Sequence, residues 1–218
     1  MFPIRFQNVS QFFGEQKILD DINLDIEKNK ITVIIGKTGA GKSTLLKMVN
    51  GLVKPSGGKV FVFENEIDYN NLPELRLKIG YSVQGTGLFP HMTAYENISL
   101  LGRINNWDKN KIDERVNELI KLVHFGEHLL QKHPYQLSGG EQQRAGIVRA
   151  MFLNPKIYLL DEAFSSLDPE TRTDIHKEIL HIQQTEPRTI LLVTHDMHEA
   201  KTLGDKILRI EKHSVIPA

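Results

Sequence analysis

The sequence predicts an α/β fold with a mostly parallel β-sheet, an antiparallel β subdomain at the N-terminus and an inserted helical subdomain. Continuous apolar runs at 31–36, 156–162 and 189–195 are typical of strands buried on both faces of a parallel sheet. The first 30 residues instead alternate apolar and polar side chains, as half-exposed antiparallel strands do. The block 84–151 carries helical patterns and turns but no strand pattern, so we expect it to be the inserted subdomain.

The alternating pattern is clearest at 4–10 and 22–26, where we expect two antiparallel strands. The stretch 206–216 has a similar character and is expected to add strands of the same kind.

We expect one domain over 1–218, in which 84–151 is the helical subdomain and 1–83 with 152–218 forms the catalytic core and its β subdomain. Apolar residues recur at helical spacing over 108–123. This helix is expected to bury Ile112, Val116, Leu119, Ile120 and Val123 and to be capped by Asp108.

The composition of the chain argues against several classes of protein. The chain has 218 residues, enough for one large core, and its 27 basic and 27 acidic residues cancel. Zero net charge argues against a nucleic-acid partner held by phosphate neutralisation. The absence of cysteine excludes disulfides. No apolar run is long enough to span a bilayer and no secretory signal pattern opens the chain, so we expect a cytosolic protein.

The segment "GKTGAGKS" at 36–43 fits the phosphate-binding pattern G-x-x-x-x-G-K-[ST], with a predicted strand before it and a predicted helix after it. Glycines let backbone amides close around a phosphate. Lys42 can contact the β- and γ-phosphates and Ser43 can ligate Mg²⁺. The pattern therefore predicts a nucleoside triphosphate site formed by Gly36, Lys37, Thr38, Gly39, Ala40, Gly41, Lys42, Ser43 and Thr44.

Asp161 and Glu162 follow a buried apolar strand, at the end of a sheet where α/β proteins bind ligands. Asp161 is suited to hold Mg²⁺, and Glu162 to orient and deprotonate an attacking water. Two solvated acids would give the same pattern, but the phosphate loop favours the catalytic interpretation. His195 ends another apolar strand, where it can donate to a γ-phosphate or be a structural histidine.

A second glycine-rich helix start, "LSGGEQQR" at 137–144, lies about a hundred residues beyond the phosphate loop. Ser138 and Glu141 form the S-x-x-E pattern of a helix capping box. Such a box does not need Gly139 and Gly140, which weaken a helix. We therefore favour a second anion site, which could reach the same γ-phosphate only from the opposite side.

Five segments in order, "GKTGAGKS", "SVQGTGLFP", "LSGGEQQR", "IYLLDEAFSSLD" and "VTH", resemble those of the ATP-binding subunits of ABC transporters. The resemblance covers essentially the whole chain and implies a P-loop NTPase core. In this family the signature "LSGGE" contacts ATP held by the other copy of a head-to-tail dimer. The second anion site would thus serve a partner's nucleotide.

The resemblance assigns further roles. Gln84 matches the glutamine that reaches Mg²⁺ and the attacking water, and Phe13 the aromatic residue that stacks on adenine. His195 matches the switch histidine.

Asp168 ends "SSLD", which resembles the loop between protomers. Asp168 is also well placed to cap the next helix, with Pro169 at the first helical position. Ala163 departs from the proline usual after the catalytic glutamate.

The resemblance implies an ATPase that uses ATP and Mg²⁺, forms an ATP-dependent homodimer and docks on transmembrane permease subunits at the cytoplasmic side of the inner membrane. Segments such as "GLFPHMTAYENI" are similar to those of importers of amino acids, osmoprotectants or oxyanions, which work with a substrate-binding protein. The alternative is a mechanical or regulatory ABC ATPase of the cell-division or lipoprotein-extraction type. No nucleic-acid partner is expected.

Overall fold

The protein is described by a computed structural model that covers residues 2–85 and 87–218. The strands of this part are β1 (Ile4–Phe13), β2 (Gln16–Ile26), β3 (Ile31–Ile35), β4 (Gly57–Val62), β5 (Asn65–Glu66), β6 (Ile79–Ser82), β7 (Ile157–Asp161), β8 (Thr189–Thr194), β9 (Lys206–Glu211) and β10 (Ser214–Pro217). The α-helices are α1 (Lys42–Val49), α2 (Pro73–Leu77), α3 (Ala94–Ile104), α4 (Lys109–Leu122), α5 (Gly139–Met151), α6 (Pro169–Thr185) and α7 (Met197–Leu203).

The N-terminal strands form an antiparallel sheet in the order β2-β1-β4-β5. Ile4 of β1 lies opposite Ile26 on one side and Val62 on the other. This confirms the antiparallel N-terminal subdomain, whose alternating pattern buries one face of the sheet.

The main sheet has the order β10-β9-β3-β8-β7-β6, and all neighbours in it are parallel except β9 and β10. The mostly parallel sheet is therefore confirmed. The expectation for 206–216 was wrong in part: β9 pairs in parallel with β3, and only β10 is antiparallel to its neighbour. Alternation marks partial exposure at a sheet edge, and it does not distinguish the direction of pairing.

Both faces of the main sheet are covered, which explains its continuous apolar strands. Val33 and Ile35 of β3 pack in a cluster with the helical segment between β6 and β7 and with α6 and α7. Ile34, the residue between them, packs in a second cluster with α1 and the antiparallel sheet. The side chains of β7 and β8 alternate between the two clusters in the same way.

The described residues between β6 and β7 contain helices α3, α4 and α5 and two 3₁₀ turns but no strand. The helix predicted over 108–123 is α4, and Asp108 caps it by accepting a hydrogen bond from the Lys111 amide (3.0 Å). The strand β6 just before this segment was not predicted.

Among the described residues, no helix combines the length and apolar character needed to cross a bilayer.

Candidate active site

Four parallel strands bring predicted site residues to one edge of the main sheet. The loop 36–41 follows β3, Asp161 ends β7, His195 follows β8, and Gln84 comes shortly after β6. Because these strands run in the same direction, their carboxyl ends lie side by side, which is where open α/β sheets bind ligands.

The loop 36–41 bends sharply before it enters α1. Gly39 and Gly41 have φ angles of +80° and +100°, which other residues rarely adopt. A Cβ at Gly41 would also lie only 2.9 Å from the Ile18 side chain. Gly41 is the N-cap of α1 and no side chain caps this helix, so its first amides are available to an anion.

Lys42 is the first residue of α1, and its side chain is only 5% exposed. Its ammonium group donates hydrogen bonds to the carbonyl oxygens of Gly36 (2.9 Å) and Lys37 (3.2 Å). The Glu162 carboxylate lies 4.0 Å away. The loop therefore holds a buried positive charge against its own backbone carbonyl oxygens, close to the uncapped start of α1, an arrangement suited to phosphate oxygens.

Ser43 and Asp161 place oxygens side by side beneath this loop. The Ser43 hydroxyl donates to Asp161 Oδ1 (2.8 Å), and the Tyr81 hydroxyl is 3.3 Å from Asp161 Oδ2 and donates to it. Asp161 is 1% exposed, and this burial raises its pKa, an effect that the two hydrogen bonds oppose. Burial, reinforced by the Asp161 charge, also raises the pKa of Tyr81.

Glu162 lies at the centre of the cluster and has an unusual backbone. Its φ angle is +49°, a left-handed conformation that is rare outside glycine and that recurs at functional sites. The Gln84 side-chain amide donates to Glu162 Oε2 (3.3 Å), and His195 Nδ1 lies 3.7 Å from the same oxygen. The structure thus brings the three predicted catalytic side chains together around one carboxylate.

The start of α5 forms a complete capping box, as one of the two sequence interpretations predicted. The Ser138 hydroxyl accepts from the Glu141 amide (3.2 Å), and Glu141 Oε2 accepts from the Ser138 amide (2.7 Å). This second bond holds the pKa of Glu141 below its usual value. The box leaves the amides of Gly139 and Gly140 without a hydrogen bond in the described chain.

The two glycines at this helix start have different surroundings. A Cβ at Gly140 would lie 3.3 Å from the Ser166 carbonyl oxygen, a tight contact within the chain that disfavours a side chain at this position. A Cβ at Gly139 would meet nothing within 4 Å. No contact inside the described chain therefore requires Gly139.

Two predicted groups remain apart from the cluster. Among the described residues, no hydrogen bond or ion pair joins Ser138, Gly139, Gly140 or Glu141 to the loop 36–44. Phe13 is 52% exposed at the end of the β1–β2 hairpin. It is outside the lining of the cleft of about 960 Å³ that borders the phosphate loop, to which Lys17 and Ile18 of the same hairpin contribute.

Asp168 caps α6, as predicted, by accepting from the Thr171 amide (2.9 Å), and this bond lowers the Asp168 pKa. Its second role, at an interface, stays a prediction.

Two residues of the site were not predicted from the sequence: Tyr81, which contacts Asp161, and Gln143, which contacts the backbone of Glu162. No sequence signal pointed to Gln143 beyond its place in the glycine-rich helix start.

Comparison with known proteins gives this arrangement a family. The ABC transporter family model matches residues 19–165, more than half of the chain. The protein belongs to the ABC transporter family.

Among curated relatives, the glycine betaine/carnitine/choline transport ATP-binding protein OpuCA of Bacillus subtilis is 42% identical over 98% of this chain and 56% of its own length. The glycine betaine uptake system ATP-binding protein YehX of Escherichia coli is 40% identical over 98% of this chain and 69% of its own. The chain thus spans little more than half the length of OpuCA.

Among solved structures, the ABC cassette MJ0796, captured as a dimer in a post-hydrolysis state with ADP and Pi, matches with a TM-score of 0.91 and 31% identity. The alignment covers 97% of this chain and 96% of that one. The similarity confirms the fold as that of an ABC ATPase cassette.

Proposed function

We propose that this chain binds ATP with Mg²⁺ and hydrolyses it as the ATP-binding subunit of an ABC importer. The supporting observation is the cluster at the sheet edge, where the buried Lys42 ammonium, the Ser43–Asp161 oxygen pair and the left-handed Glu162 meet. Phosphate-binding amides, a cation and carboxylates are the groups that phosphoryl transfer requires.

The residues present fit a magnesium ion. Ser43 Oγ and Asp161 Oδ1 are 2.8 Å apart, and hydroxyl and carboxylate oxygens are the ligands that Mg²⁺ takes in proteins. The amide nitrogen of Gln84 faces Glu162, which leaves its amide oxygen as a third candidate ligand. When bound, Mg²⁺ would offset negative charge on the phosphates.

Glu162 is the proposed general base. Its carboxylate lies 4.0 Å from the Lys42 ammonium, so it faces the position where a terminal phosphate would lie. Gln84 and His195 reach the same carboxylate oxygen and can orient it and the attacking water. The exposed His195 imidazole is also placed to donate to a γ-phosphate oxygen.

The active unit is proposed to be a head-to-tail homodimer. Within one chain the signature Ser138–Glu141 is not connected to the phosphate loop, and the Gly139 and Gly140 amides lack partners in the described residues. A second copy would bring its nucleotide to these amides at a helix N-terminus, which favours an anion. The dimeric structures of the similar cassette MJ0796 support this arrangement.

The solute is proposed to be an osmoprotectant that carries a quaternary ammonium group. OpuCA and YehX are named for glycine betaine, and other relatives for choline or carnitine. The chain would then act at the cytoplasmic side of the membrane, on permease subunits supplied by a substrate-binding protein. Methionine import, the role in the name of a Bacillus cereus relative, is the second candidate.

The test uses the complex purified with its native membrane partner in proteoliposomes that contain ATP and Mg²⁺, with the substrate-binding protein added outside. Glycine betaine, choline, carnitine and methionine are added in turn, and ATP hydrolysis and solute uptake are measured. We expect one quaternary ammonium compound to stimulate both. The matched control is the complex with Glu162→Gln, which should bind ATP and barely hydrolyse it.

Two results would contradict the proposal. ATP hydrolysis without uptake of any solute would favour a mechanical ABC ATPase. Near wild-type turnover by the Glu162→Gln complex would remove Glu162 as the base.

A further inference from the structure

Gln143 is a polar side chain buried at a junction between two parts of the site. It is the fifth residue of α5 and is 2% exposed. It lies three residues after Gly140, and therefore on the same face of the helix. That face packs on the segment that follows Glu162, since Gly140 approaches the Ser166 carbonyl oxygen.

Both ends of the Gln143 amide bind this segment. Nε2 donates to the Glu162 carbonyl oxygen (2.9 Å) and lies 3.4 Å from the Ser165 hydroxyl. Oε1 accepts from the Ser166 amide (2.7 Å). A buried amide with satisfied donor and acceptor fixes the relative position of the two elements it joins.

The backbone of Glu162 is held from two sides. Its amide donates to the Val193 carbonyl oxygen on β8 (2.9 Å). Its carbonyl oxygen accepts from Gln143 on α5 and, within its own turn, from the Ser165 hydroxyl (3.0 Å) and amide (3.2 Å). With φ at +49°, Glu162 keeps its conformation only because surrounding contacts maintain it. The bonds from Ser165 lie within the same turn, whereas the bond from Gln143 comes from α5 and ties the position of Glu162 to that helix.

We propose that Gln143 is a positioning residue for ATP hydrolysis: it connects the signature helix, which serves one nucleotide, to the Glu162 that acts on the other. This inference rests on the proposed head-to-tail dimer. Engagement of Ser138 and Gly139 by the partner's ATP moves or steadies α5, and Gln143 transmits that state to Glu162 of its own chain. Each composite site is thereby linked to the other.

The first experiment compares Gln143→Met with Gln142→Met. Gln142 is the matched control because it is the neighbouring glutamine on α5, and its side chain donates only to the Leu137 carbonyl oxygen at the start of the same helix (3.1 Å). Gln143→Met should lower kcat roughly 10- to 100-fold, the effect of a misplaced catalytic group, with little change in KM. Gln142→Met should hydrolyse ATP at the wild-type rate.

Folding is monitored by thermal unfolding. Gln143→Glu is included because it retains the acceptor for the Ser166 amide. When ionised, it lacks the nitrogen that donates to the Glu162 carbonyl oxygen and contacts the Ser165 hydroxyl, so its kcat should fall as well. Binding is measured with a fluorescent ATP analogue. ATP-dependent dimerisation is measured with each substitution added to Glu162→Gln. If kcat falls while ATP-analogue binding and ATP-dependent dimerisation are retained, Gln143 positions Glu162 and does not merely stabilise the fold.

The second experiment tests whether Gln143 acts by holding Glu162 in position or by holding the signature at the start of α5. Heterodimers carry Lys42→Ala in one copy, which leaves one intact composite site. Because the other site holds no ATP, the proposed link predicts that this heterodimer hydrolyses ATP at less than half the wild-type rate. Gln143→Met is placed either in the other copy, beside the Glu162 of the intact site, or in the Lys42→Ala copy, beneath its signature. Relative to the heterodimer with Lys42→Ala alone, the first arrangement should lose hydrolysis and the second should retain it.

Unchanged kcat in Gln143→Met, an equal loss in Gln142→Met, or a loss confined to the second heterodimer would each overturn the inference. These outcomes differ from failure of the proposed function. That failure would appear in the chain without a Gln143 substitution, as no ATP-dependent dimer of Glu162→Gln and no hydrolysis by the wild type.

Discussion

The starts of α1 and α5 are both rich in glycine, yet they are built differently. At α1 the N-cap is Gly41 at φ +100° and no side chain caps the helix. At α5 the N-cap is Ser138 in an extended conformation, with a complete capping box. Lys42 at the first start is buried and bonded to its loop, whereas Gly139 at the second faces open space.

The difference shows which helix start depends on a ligand. No side chain caps the start of α1, so its first amides lack a side-chain partner, and we propose that a phosphate binds them. The start of α5 is stable without a ligand, because the box satisfies the Ser138 and Glu141 amides. The amides of Gly139 and Gly140 have no hydrogen bond in the described part of the chain, and we propose that they bind a nucleotide held by a second copy.

The largest expected effects come from one substitution at each start. Lys42→Ala should abolish ATP binding, because it removes the charge that faces the phosphates. Ser138→Arg should stop hydrolysis, because Ser138 is proposed to contact the nucleotide of the partner copy. ATP binding to a single chain and helix content should stay intact, because the phosphate loop of the same chain is unaffected. Binding of a fluorescent nucleotide measures ATP binding, circular dichroism measures helix content, and phosphate release measures hydrolysis. Loss of helix content in Ser138→Arg would mean that the start of α5 is only a structural cap.

The next largest effects are expected from alanine substitutions of the two glycines of α5, which should differ in unfolding free energy and in ATP hydrolysis. Gly140→Ala places a Cβ 3.3 Å from the Ser166 carbonyl oxygen, a tight contact that opposes the gain in helix propensity, so its free energy of unfolding should lie about 1 kcal/mol below that of Gly139→Ala. Gly139→Ala meets nothing in its own chain, so the free energy of unfolding should stay the same or rise. Its ATP hydrolysis should nevertheless fall, since the methyl group would face the partner's phosphates.

Urea unfolding without ATP, followed by steady-state hydrolysis, tests this pair of glycine substitutions. Full hydrolysis by Gly139→Ala would show that no ligand approaches this position.

The smallest expected effect is a dependence on pH that the start of α5 has and the start of α1 lacks, since the first turn of α1 contains no acidic residue. The hydrogen bond from the Ser138 amide lowers the pKa of Glu141. Its stabilisation is therefore present above the pKa of an unfolded glutamate and is lost as the pH falls through the lowered value. The advantage of the wild type over Glu141→Gln in unfolding free energy should be constant at neutral pH and shrink in acid.

Urea unfolding across the acid range measures this difference, with Gln retaining the capping geometry at all pH values. A difference that grows in acid would contradict the assignment.

Much of the fold was predictable because its signals are local. The buried runs of β3, β7 and β8, the Asp108 cap and the Ser138 capping box each depend on a few neighbouring residues. The strand β6 was not predicted, because its four residues, with Gly80 among them, are too short to show a period. The direction of β9 depends on its pairing with β3, which local sequence does not specify.

The candidate site was predictable residue by residue but not as a network. Asp161 and Glu162 could be found at a strand end, yet the bond from Tyr81 arises because β6 lies beside β7. The bond from Gln143 needs α5 to pack on the segment after β7. Such contacts join residues 19 to 80 positions apart, and only the tertiary structure brings them together.

The place of β3 in its sheet also has a consequence for biosynthesis. This strand precedes the phosphate loop and lies near the start of the chain, yet its two neighbours are β8 and β9. On the ribosome, the emerging β3 has neither partner until residues 189–211 have been made. Pairing between segments so distant in sequence is slow to form, and an apolar segment unpaired for that time is a target for chaperones.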